Sequence, residues 1–284
     1  MYLGHGLPWG RTGDKATCEG QCRPLSAVYS SLVVANPVIR APGSATGYMR
    51  HPVLRVPMPF DPDRVTTITF DSYSTIVDVE AAQKALADRV DDPRPVSRLW
   101  RSRSLAYTFV ANAIDAYQPF YEMNRDALTY ALAAHGADLS TAERDEILAV
   151  YHELEVFDDV RSGIERLRDG GYEPYVLSNG NPAMLDSMVE HAGIEDLVED
   201  TISADEVETF KPAAELYRHG AARTGTPIEE IVHVTAGWFD VLGASHAGMQ
   251  AVRLDRKGTP WEAFAGDPDL TVESIHELAD ALGV

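Results

Sequence analysis

Three short apolar runs each end on a cluster of polar residues, and this pattern constrains the fold more than any other property of the sequence. Thr67-Ile68-Thr69-Phe70 leads into Asp71, and Tyr175-Val176-Leu177 leads into Ser178-Asn179-Gly180. Ile231-Val232-His233-Val234-Thr235 leads into Ala236-Gly237-Trp238-Phe239-Asp240. β-branched and aromatic runs of this length, bounded by turn-forming residues, read as buried strands. From residue 175 onward such runs alternate with helical segments. Helices are predicted over 183–191, 212–224 and 241–247, a short strand at Thr201-Ile202, and a further strand over 250–254. That alternation predicts an α/β fold with a parallel, doubly wound sheet of Rossmann-like form. Ligands bind such sheets at the carboxyl ends of the strands, where these polar clusters fall.

Between the first strand and the second the pattern is helical. Candidate helices cover 79–90, 96–117, 123–135 and 140–154, the last opening on a Ser-Thr-Ala-Glu sequence that can form a capping box. Four helices without a strand, inside an otherwise alternating chain, predict a helical cap at 80–157 inserted into a core made of 58–79 and 158–284. Residues 256–271 read as a polar loop before a final helix over 272–282. Residues 1–57 are rich in Gly, Pro and Ser without sustained periodicity, and read as a flexible extension or as a start called too early, with Met58 the natural beginning. A secretory signal is disfavoured, because Pro37 interrupts the apolar run after Leu25 and the charged flank is long.

Charge separates the same two regions. Residues 1–57 carry six basic and two acidic side chains, net +4; residues 58–284 carry 18 basic and 42 acidic, net −24. The whole chain has four lysines: Lys15, Lys84, Lys211 and Lys257. An acidic, lysine-poor surface argues against nucleic acid or an anionic membrane as partner. It resembles surfaces adapted to high salt, where self-repulsion is screened. No apolar run approaches the ~18 residues that span a bilayer. Both cysteines, Cys18 and Cys22, lie in the N-terminal segment, so the remainder has no thiol chemistry, in keeping with a cytoplasmic protein. A Cys pair at this spacing without nearby His is a poor zinc site.

Asp71, at a strand end, is placed to act as a covalent nucleophile. Lys211, just ahead of a proline-started helix, would keep such a carboxylate ionised and orient it. Asp240 reads either as a functional acid or as the N-cap of the next helix, Ser178-Asn179-Gly180 as an anion contact or a simple turn. Arg101 on a cap helix reads as a snorkelling residue unless something engages it. His233, inside a strand, reads as a core residue rather than a catalyst.

Taken together, these motifs resemble the haloacid dehalogenase superfamily. Asp71 to Thr75 is similar to its first motif, and Tyr73 two residues after the aspartate resembles the type II (S)-2-haloacid dehalogenases. The likeness runs from about residue 63 to the C-terminus through four motifs in order. It implies hydrolytic dehalogenation of short (S)-2-haloalkanoic acids to (R)-2-hydroxy acids and halide, through an aspartyl ester and without a cofactor or metal. By that resemblance Asp71 is the nucleophile with Thr75 beside it, and Ser178 contacts the substrate carboxylate. Asn179 and Arg101 cradle the halide, while Lys211 and Tyr217 support the nucleophile and the bound carboxylate. Thr235 stands at a serine position, Asp240 positions Lys211 and the hydrolytic water, and Tyr73, Phe120 and Phe239 line an apolar pocket. A homodimer is implied too. Three further positions depart from the pattern: Ser74 replaces a glycine, Ala236 a serine and Gly237 an asparagine. The rival readings are a magnesium-dependent phosphatase of the same superfamily, which needs a second acid at the Tyr73 position and further acids near Asp240, and a non-catalytic binding protein.

Overall fold

A computed structural model of the chain describes residues 59–284. The readings made for residues 1–57 and for the start at Met58 lie outside the described residues.

The sheet has six parallel strands in the order β3-β2-β1-β4-β5-β6. They are β1 Thr67–Phe70, β2 Glu173–Ser178, β3 Asp200–Ser203, β4 Ile231–Thr235, β5 Gln250–Leu254 and β6 Leu270–Val272. β1 lies between β2 and β4, so the chain moves outward on one side to β3 and then crosses to build the other side from β4. That reversal opens a crevice at the carboxyl ends of β1 and β4. Alternation along the strands divides the core. Ile68, Phe70, Val232 and Val234 face a layer containing Ile164 and Leu167 of α5 (Val160–Asp169) and Leu278 of α9 (Ile275–Ala281). Leu177, Ile202 and Ile231 face the opposite layer, which holds Leu216 and Tyr217 of α7 (Ala214–Thr224) and Val241 and Ala244 of α8 (Trp238–Ala247). α6 (Pro182–Ala192) connects β2 to β3.

Between β1 and α5 the described chain is helical: α1 Ala82–Leu86, α2 Pro93–Ile114, α3 Phe120–Ala134 and α4 Thr141–Leu148. α2 starts earlier than its periodicity predicts, because the Asp92 carboxylate accepts the Arg94 N–H and Pro93 takes a first-turn position. It ends at Asp115, which adopts the left-handed conformation (φ 55°). The predicted 79–90 helix is a 3₁₀ turn at Val79–Ala81 followed by the five residues of α1. Ser140 and Glu143 form the predicted capping box, but α4 gives way to a 3₁₀ turn at Ala149–His152.

Two elements escaped the sequence reading. α5 carries its signal in Val160, Ile164 and Leu167, a spacing that buries one stripe of an otherwise charged helix. β6 is three residues long, too short for alternation to register, and it shortens the predicted 256–271 loop and pushes the last helix back to begin after the Ser274 cap.

Candidate active site

Asp71 leaves β1 with its backbone N–H still bonded to Val234 O on β4 (2.9 Å), so the ladder itself fixes where the carboxylate emerges. Lys211 Nζ lies 2.9 Å from Asp71 Oδ1 and 2.8 Å from Asp240 Oδ2. The lysine and Asp240 side chains are each 1% exposed, and Asp71 is 14% exposed. Thr75 donates to Asp71 Oδ2 (3.3 Å) and accepts from the Ala236 N–H (3.0 Å), tying the loop after β1 to the loop after β4. Asn179 Oδ1 accepts the Lys211 N–H (2.9 Å), which anchors the lysine's backbone. One ammonium thus bridges two buried carboxylates.

The charges sort accordingly. Burial pushes the Asp71 carboxyl above its ordinary value; Lys211 pulls it down, and Asp240 adds repulsion. Asp240 is also opposed by burial, but His233 and Lys211 outweigh it and hold this carboxyl below the usual range. For Lys211, burial disfavours the cation, yet Asp240 and Asp71 prevail and raise it above an ordinary lysine. The cluster therefore presents a firm ion pair behind a less stabilised carboxylate, which is the one that reaches the cavity.

That cavity, about 210 Å³, opens on Asp71 and Lys211 from the sheet edge and on Arg101, Phe120 and Tyr151 from the helical insert. It is smaller than the 300–1,000 Å³ common for drug-sized ligands. Tyr73 stacks obliquely on Phe120 (5.8 Å between centroids) and edge-on to Tyr151 (5.7 Å). Its hydroxyl is buried without a hydrogen-bond partner, and burial, followed by Tyr151 and Asp71, drives its pKa well up, so it stays neutral. Arg101 Nε is likewise buried without a partner, and its nearest counter-ion, Glu80, stands 3.9 Å away. With its oxygen engaged by the Lys211 N–H, Asn179 still has both amide N–H donors to offer the cavity it lines. Arg101 and Asn179 give the cavity a polar side; Tyr73, Leu105, Phe120 and Phe239 give it an apolar one.

Of the residues expected from the sequence, Asp71, Lys211, Asn179, Arg101, Tyr73, Phe120 and Phe239 line this cavity together. Thr75 and Asp240 stand directly behind Asp71 and Lys211. Three are placed otherwise. Ser178 is fully buried, its hydroxyl bonded to Ser72 Oγ (2.6 Å) and accepting the Gly180 N–H (3.0 Å), so it shapes the loop instead of facing the cavity. Tyr217 donates to Asp240 Oδ1 (2.6 Å) on the α7 side of the sheet, away from the cavity. Thr235 accepts the Gly237 N–H (3.0 Å) and is enclosed. Asp240 is no N-cap, because α8 begins two residues earlier and Gly237 holds that position. His233 is fully buried as expected of a core residue, but its Nε2 lies 3.0 Å from Asp240 Oδ2, inside the charge cluster.

Ser104, Asn124 and Tyr151 also line the cavity without having been foreseen. Ser104 follows Arg101 by three residues and Asn124 follows Phe120 by four, spacings that share a helical face with a residue already singled out. Ser104 donates to Asn124 Oδ1 (2.8 Å), which keeps this buried pair satisfied. Ser74, at a glycine position of the pattern, has φ 67° and so occupies the left-handed region where glycine is favoured.

A catalytic Mg²⁺ does not fit these side chains. Hard cations are held chiefly by carboxylates, whereas the ammonium of Lys211 lies between the two carboxylates and Tyr73, Ala236 and Gly237 bring no further carboxylate to the cavity. Among the described residues, no group of three or more His, Cys, Asp or Glu is arranged to hold a metal ion.

Comparison with known proteins agrees with this geometry. Residues 65–248 match the family model described as haloacid dehalogenase-like hydrolase. (S)-2-haloacid dehalogenase 4A of Burkholderia cepacia is 30% identical over 217 residues, covering 76% of this chain and 94% of the relative. A solved L-2-haloacid dehalogenase superposes with TM-score 0.75 at 28% identity, covering 78% of this chain and 99% of its own. The L-2-haloacid dehalogenase of Xanthobacter autotrophicus, solved with chloropropionic acid covalently bound, gives TM-score 0.71 at 25% identity over 77% of this chain and 98% of that one. By sequence and by fold, the chain belongs to the haloacid dehalogenase-like hydrolase family.

Proposed function

We propose that this protein is a hydrolase of carbon–halide bonds that converts short (S)-2-haloalkanoic acids into (R)-2-hydroxy acids and halide. The observation that carries the reading is Asp71, held by Lys211 at the mouth of a small cavity that is aromatic on one side and cationic on the other. One Asp71 oxygen attacks C2 from the side opposite the halogen. The new C–O bond forms as the carbon–halogen bond breaks, and the halide departs with the bonding electrons. Water then adds to Cγ of the resulting ester. The acyl C–O bond breaks, the hydroxy acid leaves with its oxygen protonated, and the Asp71 carboxylate returns with release of one proton.

The side chains divide this work. Arg101 and Asn179 supply donors for the departing halide and for the substrate carboxylate, a task the buried Ser178 hydroxyl leaves to them. Tyr73, Phe120 and Phe239 receive the alkyl part. Thr75 and Lys211 aim the nucleophile, while Asp240, steadied by Tyr217, holds Lys211. Thr235 secures the loop through Gly237. The insert at 80–157 acts as a cap over a core of 58–79 and 158–284, and no cofactor takes part.

Homodimerisation, a cytoplasmic location and adaptation of the acidic surface to salt belong to the same proposal. Among the described residues, no helix is long and apolar enough to cross a membrane.

Halide release from (S)- against (R)-2-chloropropionate, at low and at high salt, tests the reaction and its stereochemistry. A single turnover in heavy-oxygen water tests the route: label is expected in the peptide containing Asp71 and not in the first product. Label in the product alone would remove Asp71 from the nucleophile role. Absence of halide release from both enantiomers would leave the binding-protein alternative.

A further inference from the structure

His233 is a buried ionisable group that the reaction, as set out above, does not use. It stands in the middle of β4, in register with Thr69 of β1, on the face covered by α7 and α8. Its Nδ1 lies 2.8 Å from Thr69 Oγ1, and its Nε2 lies 3.0 Å from Asp240 Oδ2 and 3.4 Å from Lys211 Nζ. The Tyr217 ring meets the imidazole edge-on at 5.7 Å. Asp240, Lys211 and Tyr217 are thus the titratable groups that face it, with Asp71 behind Lys211, while Thr69 is its one neutral polar neighbour. A site that needed only filling would take an apolar side chain at no desolvation cost.

The hydrogens follow from the partners. Ionised Asp240 can only accept, so Nε2 carries a hydrogen and donates to Oδ2. Nδ1 stands 2.8 Å from the Thr69 hydroxyl, which also reaches Val232 O at 3.4 Å. Asp240 Oδ2 therefore receives two donors, from Lys211 and from His233, while Oδ1 receives the Tyr217 hydroxyl. A carboxylate satisfied from three directions competes less for the ammonium it shares. Lys211 is left able to spend a second N–H on Asp71.

We propose that His233 is a positioning residue, whose Nε2–H satisfies Asp240 from behind so that Lys211 stays engaged with Asp71 and keeps that carboxylate ionised. Without this donor, Asp240 draws Lys211 toward itself, positive potential at Asp71 falls, and Asp71 binds its proton more tightly. The inference deepens the dehalogenase reading and rests on it for the identity of the nucleophile. Its central test, however, needs no substrate.

The experiment follows the Asp71 carboxyl by carbon NMR in the full chain labelled at aspartate, with Asp71→Asn to assign the signal. His233→Asn keeps a polar group that can reach Thr69 but not Asp240. His233→Gln places an amide N–H near the position of Nε2, and His233→Phe removes both contacts. The Asp71 midpoint is expected to rise by about one pH unit in the Asn and Phe variants and to return toward wild type in Gln. Halide release should show the same ranking, with kcat about tenfold lower in Asn and KM little changed, because His233 does not line the cavity. Should Phe fail to fold, the Asn–Gln pair decides. Wild-type midpoints in Asn and Phe, or a Gln variant shifted as far as Asn, would reduce His233 to a packing residue. Failure of the wild-type protein to release halide would overturn the reaction instead, and would leave the titration result standing.

Discussion

Lys211→Met isolates the energetics of the site. The substitution keeps the length of the side chain and removes the ammonium that bonds two carboxylates that are 14% and 1% exposed. Breaking a buried ion pair by deleting one partner costs about 3–5 kcal/mol, because the other charge is left uncompensated. For a folded unit of this size each kcal/mol moves Tm by about 2–4 °C, so a fall of roughly 6–20 °C is expected at pH 7. The pH dependence carries the sharper signature. In the wild-type protein the depressed pKa of Asp240 contributes stability that is complete above the ordinary carboxylate value and is lost as pH falls through the depressed one. Between pH 7 and 5 that contribution does not change. In the variant Asp71 loses its cation and is raised further by burial, while Asp240 keeps only His233, so the cost of the ionised Asp71 is felt above its raised value and relieved in acid. The Tm of Lys211→Met should therefore climb toward wild type on going from pH 7 to pH 5. Scanning calorimetry at the two pH values measures it, and halide release should fall by about 10²–10³-fold. A variant with wild-type Tm at pH 7 that responds to acid in parallel with the wild-type protein would refute the shared-ammonium account.

Four further outcomes follow from particular contacts. Gly243→Ala places a Cβ 2.5 Å from the Tyr217 hydroxyl and 2.8 Å from Pro212 Cβ, so it should destabilise by about 1–3 kcal/mol in chemical denaturation and lower kcat by loosening Asp240. Ser74→Gly relieves the left-handed backbone and should raise stability by about 1 kcal/mol with activity retained, read from urea unfolding. The acid limb of kcat/KM should lie above the ordinary aspartate value, because Asp71 must be ionised and burial raises it, and Lys211, raised above 10.5, should contribute no alkaline loss below that pH. Chelation with EDTA should leave halide release unchanged; activity that EDTA abolished and Mg²⁺ restored would favour the phosphatase reading.

The strand ends were legible in the sequence because strand chemistry and site chemistry coincide there. A β-branched run that stops on Asp71, Ser178 or Thr235 marks both the sheet edge and the groups it presents. What lay hidden depends on distance along the chain. Nothing near His233 in sequence shows that α8, entering from Trp238, returns Asp240 beneath it, or that α7 sets Tyr217 against the same carboxylate. Ser178 is a case of the same kind. Its position at a strand end is right, but Ser72 arrives from the neighbouring strand's loop to engage the hydroxyl first. Helix bounds shifted wherever a cap outweighed periodicity, as at Asp92, and β6 was too short to carry a pattern.

Asn112, on the long α2 helix of the insert, holds the peptide of Phe210 from both sides: its Nδ2 donates to Phe210 O (2.7 Å) and its Oδ1 accepts the Phe210 N–H (3.0 Å). The next residue is Lys211. The insert therefore grips the backbone that carries the ammonium, as well as roofing the cavity with Arg101 and Phe120. A hinge motion that lifts α2 to admit a substrate must release two hydrogen bonds, about 1–3 kcal/mol together, and in doing so slackens the segment from which Lys211 reaches Asp71. On the proposed reading, access and readiness would then compete: opening would loosen the Lys211–Asp71 pairing, and closing would restore it as bulk water is shut out.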